Sequence, residues 1–167
     1  IEADKIDVIY LAAGSNLERV RDTKALTAVH ERYGLPERFL LYVGSVEPRK
    51  NHRNLLLAYE GLPTPRPRLL VLGRRGWQSD DIVAALTDTD GVTWIDDLSD
   101  QQLVRYVENA LALVYPSFLE GFGFPPLEAM VLGTPVLAGD TPALREVLGE
   151  EIATDAVIEA LRDWECR

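Results

Sequence analysis

The feature that most constrains this chain is a regular alternation of short apolar runs with stretches of helical spacing. Phe39 to Val43, Leu69 to Leu72, Val92 to Ile95, Ala112 to Val114 and Thr134 to Ala138 are strand-length and apolar, with turn residues at their ends. Ile6 to Leu11 has the same character and is expected to be a further strand. Continuous apolar runs of this length fit strands buried on both faces. Between them, Leu55, Ala58, Tyr59 and Leu62 repeat with helical period, as do Leu103, Val104, Val107 and Leu111. Asp22, Ser79 and Thr141 are placed to begin helices, and Ser99 with Gln102 three residues later forms a capping box. The helix opened by Asp22 would carry Leu26, Val29, His30 and Tyr33 on one face, which makes His30 a structural histidine. Strands and helices alternating at this spacing imply right-handed βαβ units, hence an α/β, doubly wound parallel sheet of Rossmann-like type. At 167 residues the whole chain, 1–167, is expected to form a single domain.

In such sheets ligands bind at the carboxyl ends of the strands, so five loops should share one edge: those after Val43, Leu72, Ile95, Val114 and Ala138. Two of them carry unusual residues. Gly44 to Asn51 (GSVEPRKN) places Arg49 and Lys50 at the mouth of a helix, where cations oppose the helix dipole and call for an anion. Ala112 to Ala138 contains Glu120 and Glu128 with seven residues between them, around Gly121, Phe122 and Gly123. Pro125 and Pro126 suit the first positions of a helix that Gly133 would end. If that helix starts at Pro126, Glu128 is its third residue, where an acid can cap the helix as readily as bind a ligand. Glu120 precedes the glycines on a strand-exit loop and has less structural reason to be acidic.

The segment EGFGFPPLEAM resembles the E-x7-E signature of retaining GT-B glycosyltransferases of the family-4, group 1 type, which includes bacterial mannosyl- and glucosyltransferases. YVGSVEPRKN resembles the phosphate-binding segment of the same family, in the same order and at a similar separation. The resemblance covers about Lys5 to Gly149 and corresponds to the C-terminal, donor-binding half of a two-domain enzyme. It implies that Lys50 and Arg49 hold the diphosphate of a nucleotide sugar. Many family members carry their arginine directly after the glycine, where this chain has Ser45 beside Gly44. It further implies that Glu128 binds ribose and Glu120 the transferred sugar, as nucleophile or as orienting ligand. The amides of Gly121, Phe122 and Gly123 would face sugar and phosphate. Ile95 to Leu98, with Asp97 and Leu98, would border the base. Arg74 or Arg75 is placed to reach the diphosphate or to lie in solvent, and Trp77 to pack.

The resemblance implies transfer of a hexosyl unit from a GDP- or UDP-linked sugar with retention, and no cofactor or metal. The acceptor would be a glycan or lipid-linked sugar, held by an N-terminal domain that this stretch does not include. Such a piece, which also lacks the family's usual final segment after Gly149, should bind donor and catalyse little. The alternatives are a nucleotide-sugar epimerase of the same architecture and a non-catalytic nucleotide-sugar-binding module.

Charge and composition exclude other classes. A net charge of −10, from 17 basic and 27 acidic residues, leaves no basic face for nucleic acid. No apolar run approaches the ~20 residues of a transmembrane helix. One cysteine, Cys166, and no basic-then-apolar leader fit a cytoplasmic protein, membrane-peripheral in its full-length form. No G-x-G-x-x-G or G-K-[ST] motif supports an NAD enzyme or a P-loop protein.

Overall fold

The computed structural model describes residues 39–149 throughout and, before them, residues 5, 7, 9–14, 17, 27, 31 and 34–36. Five strands form one parallel sheet: β1 (Phe39–Val43), β2 (Arg68–Leu72), β3 (Val92–Ile95), β4 (Ala112–Tyr115) and β5 (Val136–Ala138), in the order β3-β2-β1-β4-β5. The chain therefore winds outward from β1 to β3, then returns to the other side of β1 with β4. Leu40 pairs with Ala112 and Leu41 with Leu113 across that point of reversal. This is the doubly wound sheet expected from the alternation.

Within residues 39–149 five helices cover the two faces: α1 (His52–Glu60), α2 (Asp80–Asp88), α3 (Asp100–Asn109), α4 (Phe124–Val131) and α5 (Pro142–Leu148). The period of two along β1 sorts its side chains between two cores. Leu40 and Tyr42 join Leu55, Leu56 and Tyr59 of α1, Ile82, Val83 and Leu86 of α2, and Leu144 of α5. Phe39, Leu41 and Val43 join Tyr106 and Val107 of α3, Ala129 of α4 and Leu132 at its C-terminal end. Every residue of β1 is buried, as a central strand with helices on both faces requires. Burying each such large apolar side chain contributes roughly 1.5–3 kcal/mol.

Local signals account for the helix ends. Ser99 and Gln102 form the capping box, with Ser99 Oγ accepting from the Gln102 amide. Thr141 Oγ1 accepts from the Leu144 amide at the start of α5. Ser79 precedes α2 as expected, but its hydroxyl donates to Gly76 O at 3.0 Å instead of capping.

Three expectations are corrected. The run from Ile6 to Leu11 supplies no strand at its described residues: Asp7, Ile9, Tyr10 and Leu11 belong to none, and Ile9 is 86% exposed. Apolar character alone does not make a strand, because each needs a partner for its backbone ladder, and neither sheet edge pairs with the described residues of this run. The helix containing Glu128 begins at Phe124, two residues before Pro126, because Gly123 at φ +104° serves as its N-cap. Leu111 lies beyond α3, which ends at Asn109, and packs against the core from the turn into β4. Thr27 and Glu31 are helical, whereas Leu26, Val29, His30, Tyr33 and the helical spacing from Thr154 to Trp164 lie outside the described residues.

The loops after β1 and β2 cross in contact. A Cβ on Gly73 would stand 2.0 Å from the carbonyl oxygen of Gly44, and Gly44 N–H donates to Leu72 O at 2.9 Å. Substitution Gly73→Ala must separate the two loops, and a loss of about 3 kcal/mol in urea unfolding is expected. A loss below ~1 kcal/mol would show that the loops part without consequence.

Candidate active site

The reversal of winding between β1 and β4 sends two loops out of adjacent strands at the same edge. The β1 loop passes through Gly44 and Ser45 into a single 3-10 turn, Pro48–Lys50. Asn51 follows in the left-handed conformation, φ 63°, and turns the chain into α1. Asn51 Nδ2 donates to Pro116 O at 2.9 Å, and the Phe118 amide donates to Arg49 O at 3.0 Å. The two loops are thus tied by one side-chain amide and one main-chain bond before any charge is considered.

Lys50 Nζ lies 2.7 Å from Glu120 Oε1 and donates to Tyr115 Oη at 2.8 Å. Both charged side chains are 7% exposed, so this is a buried ion pair. Arg49 Nη1 donates to Glu120 Oε2 at 3.2 Å and to Leu119 O at 2.8 Å, and its Nη2 donates to Glu47. Burial alone would raise the carboxyl of Glu120. The hydrogen bond and charge of Lys50 outweigh that cost and hold it below the ordinary carboxylate value, with the Ser117 hydroxyl acting in the same sense. Arg49, Lys50 and Glu120, predicted from motifs some 70 residues apart, are therefore one cluster.

Beneath the cluster Tyr115 stacks on Tyr42 with centroids 5.8 Å apart, and His52 meets Tyr42 edge-on at 4.5 Å. His52 is 1% exposed. Burial carries its pKa down to about 4, and the nearby charge of Lys50 acts in the same direction.

The second half of the site is the loop from Glu120 into α4. The amides of Gly121, Phe122, Gly123 and Phe124 make no hydrogen bond among the described residues. Pro125 and Pro126 have no N–H, and the Leu127 amide is already bonded to Gly123 O. No side chain caps the helix, so its positive end is turned to whatever enters the loop. Glu128 falls in the second turn and is the fifth helical residue, not the third. That removes the capping explanation for it. Its side chain has no hydrogen bond or ion pair among the described residues. Burial, reinforced by the charge of Asp100, raises its pKa. Asp100 begins α3 directly after the loop of Asp97 and Leu98, which brings that loop to the same edge as Glu128. Asp97 is exposed and Leu98 packs at the margin of the core.

Arg75 takes the solvent-side alternative, paired with Asp80 at 2.8 Å and with its guanidinium over the Trp94 ring. One neighbouring expectation changes. Trp77 does not pack, being 59% exposed. Sequence reasoning missed Tyr115, Ser117 and Glu47. Tyr115 immediately follows the apolar run of β4, and strand alternation would have set it opposite Val114. Ser117 and Glu47 carried no signal of their own, because loop contacts are not periodic.

An open parallel sheet with a basic, uncapped, acid-flanked site at its point of winding reversal is a Rossmann-like domain. More particularly, the chain belongs to the glycosyl transferases group 1 family, whose profile matches residues 28–165. The O-antigen chain mannosyltransferase B of Escherichia coli is 36% identical over 154 residues, covering 89% of this chain and 40% of that protein. The O-antigen chain mannosyltransferase RfbU of Salmonella typhimurium is 31% identical over 150 residues, covering 89% and 39%. Among solved structures, Anabaena HepE in complex with UDP superposes with a TM-score of 0.78 at 18% identity, covering 98% of this chain and 50% of that one. That likeness is one of fold. The chain spans about two-fifths of the length of these curated relatives. Among the described residues no helix is long and apolar enough to cross a membrane.

His52 gives the site a pH signature. Its folded pKa of about 4 lies below the ordinary 6.5, so between these values the unfolded chain binds more protons. Stability should fall as pH drops from 6.5 toward 4, with a slope approaching ~1.4 kcal/mol per unit from this residue. Denaturant unfolding across that range should show a shallower slope in His52→Phe. Equal slopes in the two proteins would mean that His52 titrates normally.

Proposed function

We propose that this chain is the donor-binding part of a retaining glycosyltransferase, which transfers a mannosyl- or glucosyl-type unit from a GDP- or UDP-linked sugar. The acceptor in this reading is a growing glycan or lipid-linked sugar, bound by a part of the longer protein outside this sequence. A cytoplasmic, membrane-peripheral setting goes with such a donor and acceptor. The observation that carries the reading is the convergence of Lys50, at 2.7 Å, and Arg49, at 3.2 Å, on the carboxylate of Glu120, which leads into the uncapped start of α4. The names of the mannosyltransferase relatives and the UDP held by HepE point to the same chemistry.

In this reading Lys50 and Arg49 bind the diphosphate, Glu120 faces the transferred sugar, and Glu128 accepts hydrogen bonds from ribose hydroxyls. Gly44 and Ser45 line the phosphate side, the amides of Gly121 to Gly123 the sugar side, and Asp97 and Leu98 the base. As the bond to the sugar breaks, negative charge grows on the leaving diphosphate. Two fixed cations and the positive end of α4 lie where that charge develops, so little reorganisation is needed. The leaving phosphate oxygen can take the acceptor's proton, which removes the need for a protein base. No metal is required in this scheme.

Calorimetry with UDP, GDP and their mannose or glucose derivatives tests the reading directly. The chain should bind one nucleotide series selectively, and Lys50→Ala should weaken that binding roughly ten- to a hundredfold, the equivalent of one charge-assisted hydrogen bond. Melting curves of the same samples separate that loss from unfolding of the variant. Absence of binding to every nucleotide, or unchanged affinity in a folded Lys50→Ala chain, would overturn it. Conversion of the donor sugar without acceptor would favour epimerisation instead.

A further inference from the structure

We infer that Glu47 is the positioning residue of this site: it sets the orientation of Arg49, and through it the junction between the phosphate and sugar sides. The inference rests on the functional reading above and concerns a residue that no motif assigned. Glu47 occupies the N-cap of the 3-10 turn Pro48–Lys50, where an acidic side chain would ordinarily accept from the turn's amides. It makes no such bond. Its carboxylate is directed at Arg49 Nη2, and the side chain is only 12% exposed. A buried acid two positions before a proposed diphosphate ligand opposes anion binding, so a local capping role cannot account for where it points.

The guanidinium of Arg49 is gripped from two sides. Glu47 holds Nη2, while Leu119 O and Glu120 hold Nη1. Three of its five N–H groups are thereby used, which fixes the plane and leaves two for a ligand. Arg49 is 37% exposed, so the remaining donors are reachable from the open side. Without Glu47 the guanidinium would keep only its attachment to the Glu120 loop and swing about it.

The loop after β2 closes over Glu47 and shields it from water. Val46 N–H donates to Arg74 O and Gly76 N–H to Val46 O, each at 2.9 Å. A Cβ on Gly76 would lie 3.1 Å from Glu47 Cβ and 3.3 Å from its Oε2. Glycine at 76 is what lets this loop lie on the carboxylate. Glu47 thus joins the loops after β1, β2 and β4 at one guanidinium.

A double-mutant cycle with Arg49 tests the assignment on the full 167-residue chain. The probe is whichever of UDP and GDP binds more tightly by calorimetry. Glu47→Ala should weaken binding about fivefold when Arg49 is present and less than twofold in an Arg49→Ala chain, since the two act as one network. A purely structural role would give the same loss in both backgrounds, and that outcome, or no loss in either, overturns the proposal. If Glu47→Ala does not fold, Glu47→Asp, which withdraws the carboxylate by one methylene, takes its place in the cycle. Failure of the unsubstituted chain to bind either nucleotide overturns this inference together with the functional reading. Binding without coupling overturns this inference alone.

Discussion

The pairing of β1 with β4 is the constraint on which the rest of the structure depends. β1 is fully buried and receives β2 on one side and β4 on the other. Because all pairs are parallel, both β1 and β4 deliver their following loops to the same edge. Because the winding reverses between them, no crossover helix lies over that gap, and the two loops meet. The Asn51 side-chain amide to Pro116 O and the Phe118 amide to Arg49 O close the gap with uncharged bonds. Only then can a lysine and a glutamate some 70 residues apart face each other at 2.7 Å.

A buried ion pair of this kind is weak evidence for stability. Desolvating two charges can cost as much as their attraction returns, and replacement by apolar residues is often neutral or stabilising. Its value in the proposed function lies elsewhere. Lys50 has already lost most of its water, so a phosphate that reaches it forms its bond without that expense. Tyr115 Oη remains as a second partner while Glu120 turns toward another group. The aromatic column of Tyr115, Tyr42 and His52 beneath the pair keeps the lysine from sinking deeper into the core.

Much of this was legible in the residues, and the exceptions have physical causes. The runs of β1 to β5 were visible because strands buried on both faces are apolar throughout. The capping box at Ser99 was visible because it is a local bond with fixed spacing. The same reasoning failed for Ile9 to Leu11, which has strand character but no strand beside it, a property of the sheet and not of the run. The prolines mark the start of α4 two residues late, because Gly123 caps the helix at positive φ, a conformation the residue type permits but does not announce. Tyr115 escaped notice because its partner Lys50 lies on another loop, and Glu47 because a bond between side chains two residues apart in a loop follows no period.

The two acids of the E-x7-E segment end up in opposite circumstances, which the spacing alone could not reveal. Glu120 is held below its ordinary pKa by Lys50 despite burial, and its oxygens are already occupied. Glu128, half-buried and near the charge of Asp100, is pushed above its ordinary value and has no partner among the described residues. A carboxylate in that state gains more from new hydrogen-bond donors than one already satisfied. Neutral hydroxyl groups fit it better than cations do, since α4 brings no base beside it in its last turn and its charged neighbour is another acid. The cations therefore belong to Glu120 and the free acceptor to Glu128. In the proposed function, a ligand that meets both presents an anion to Lys50 and Arg49 and adjacent hydroxyls to Glu128, as a nucleoside diphosphate would.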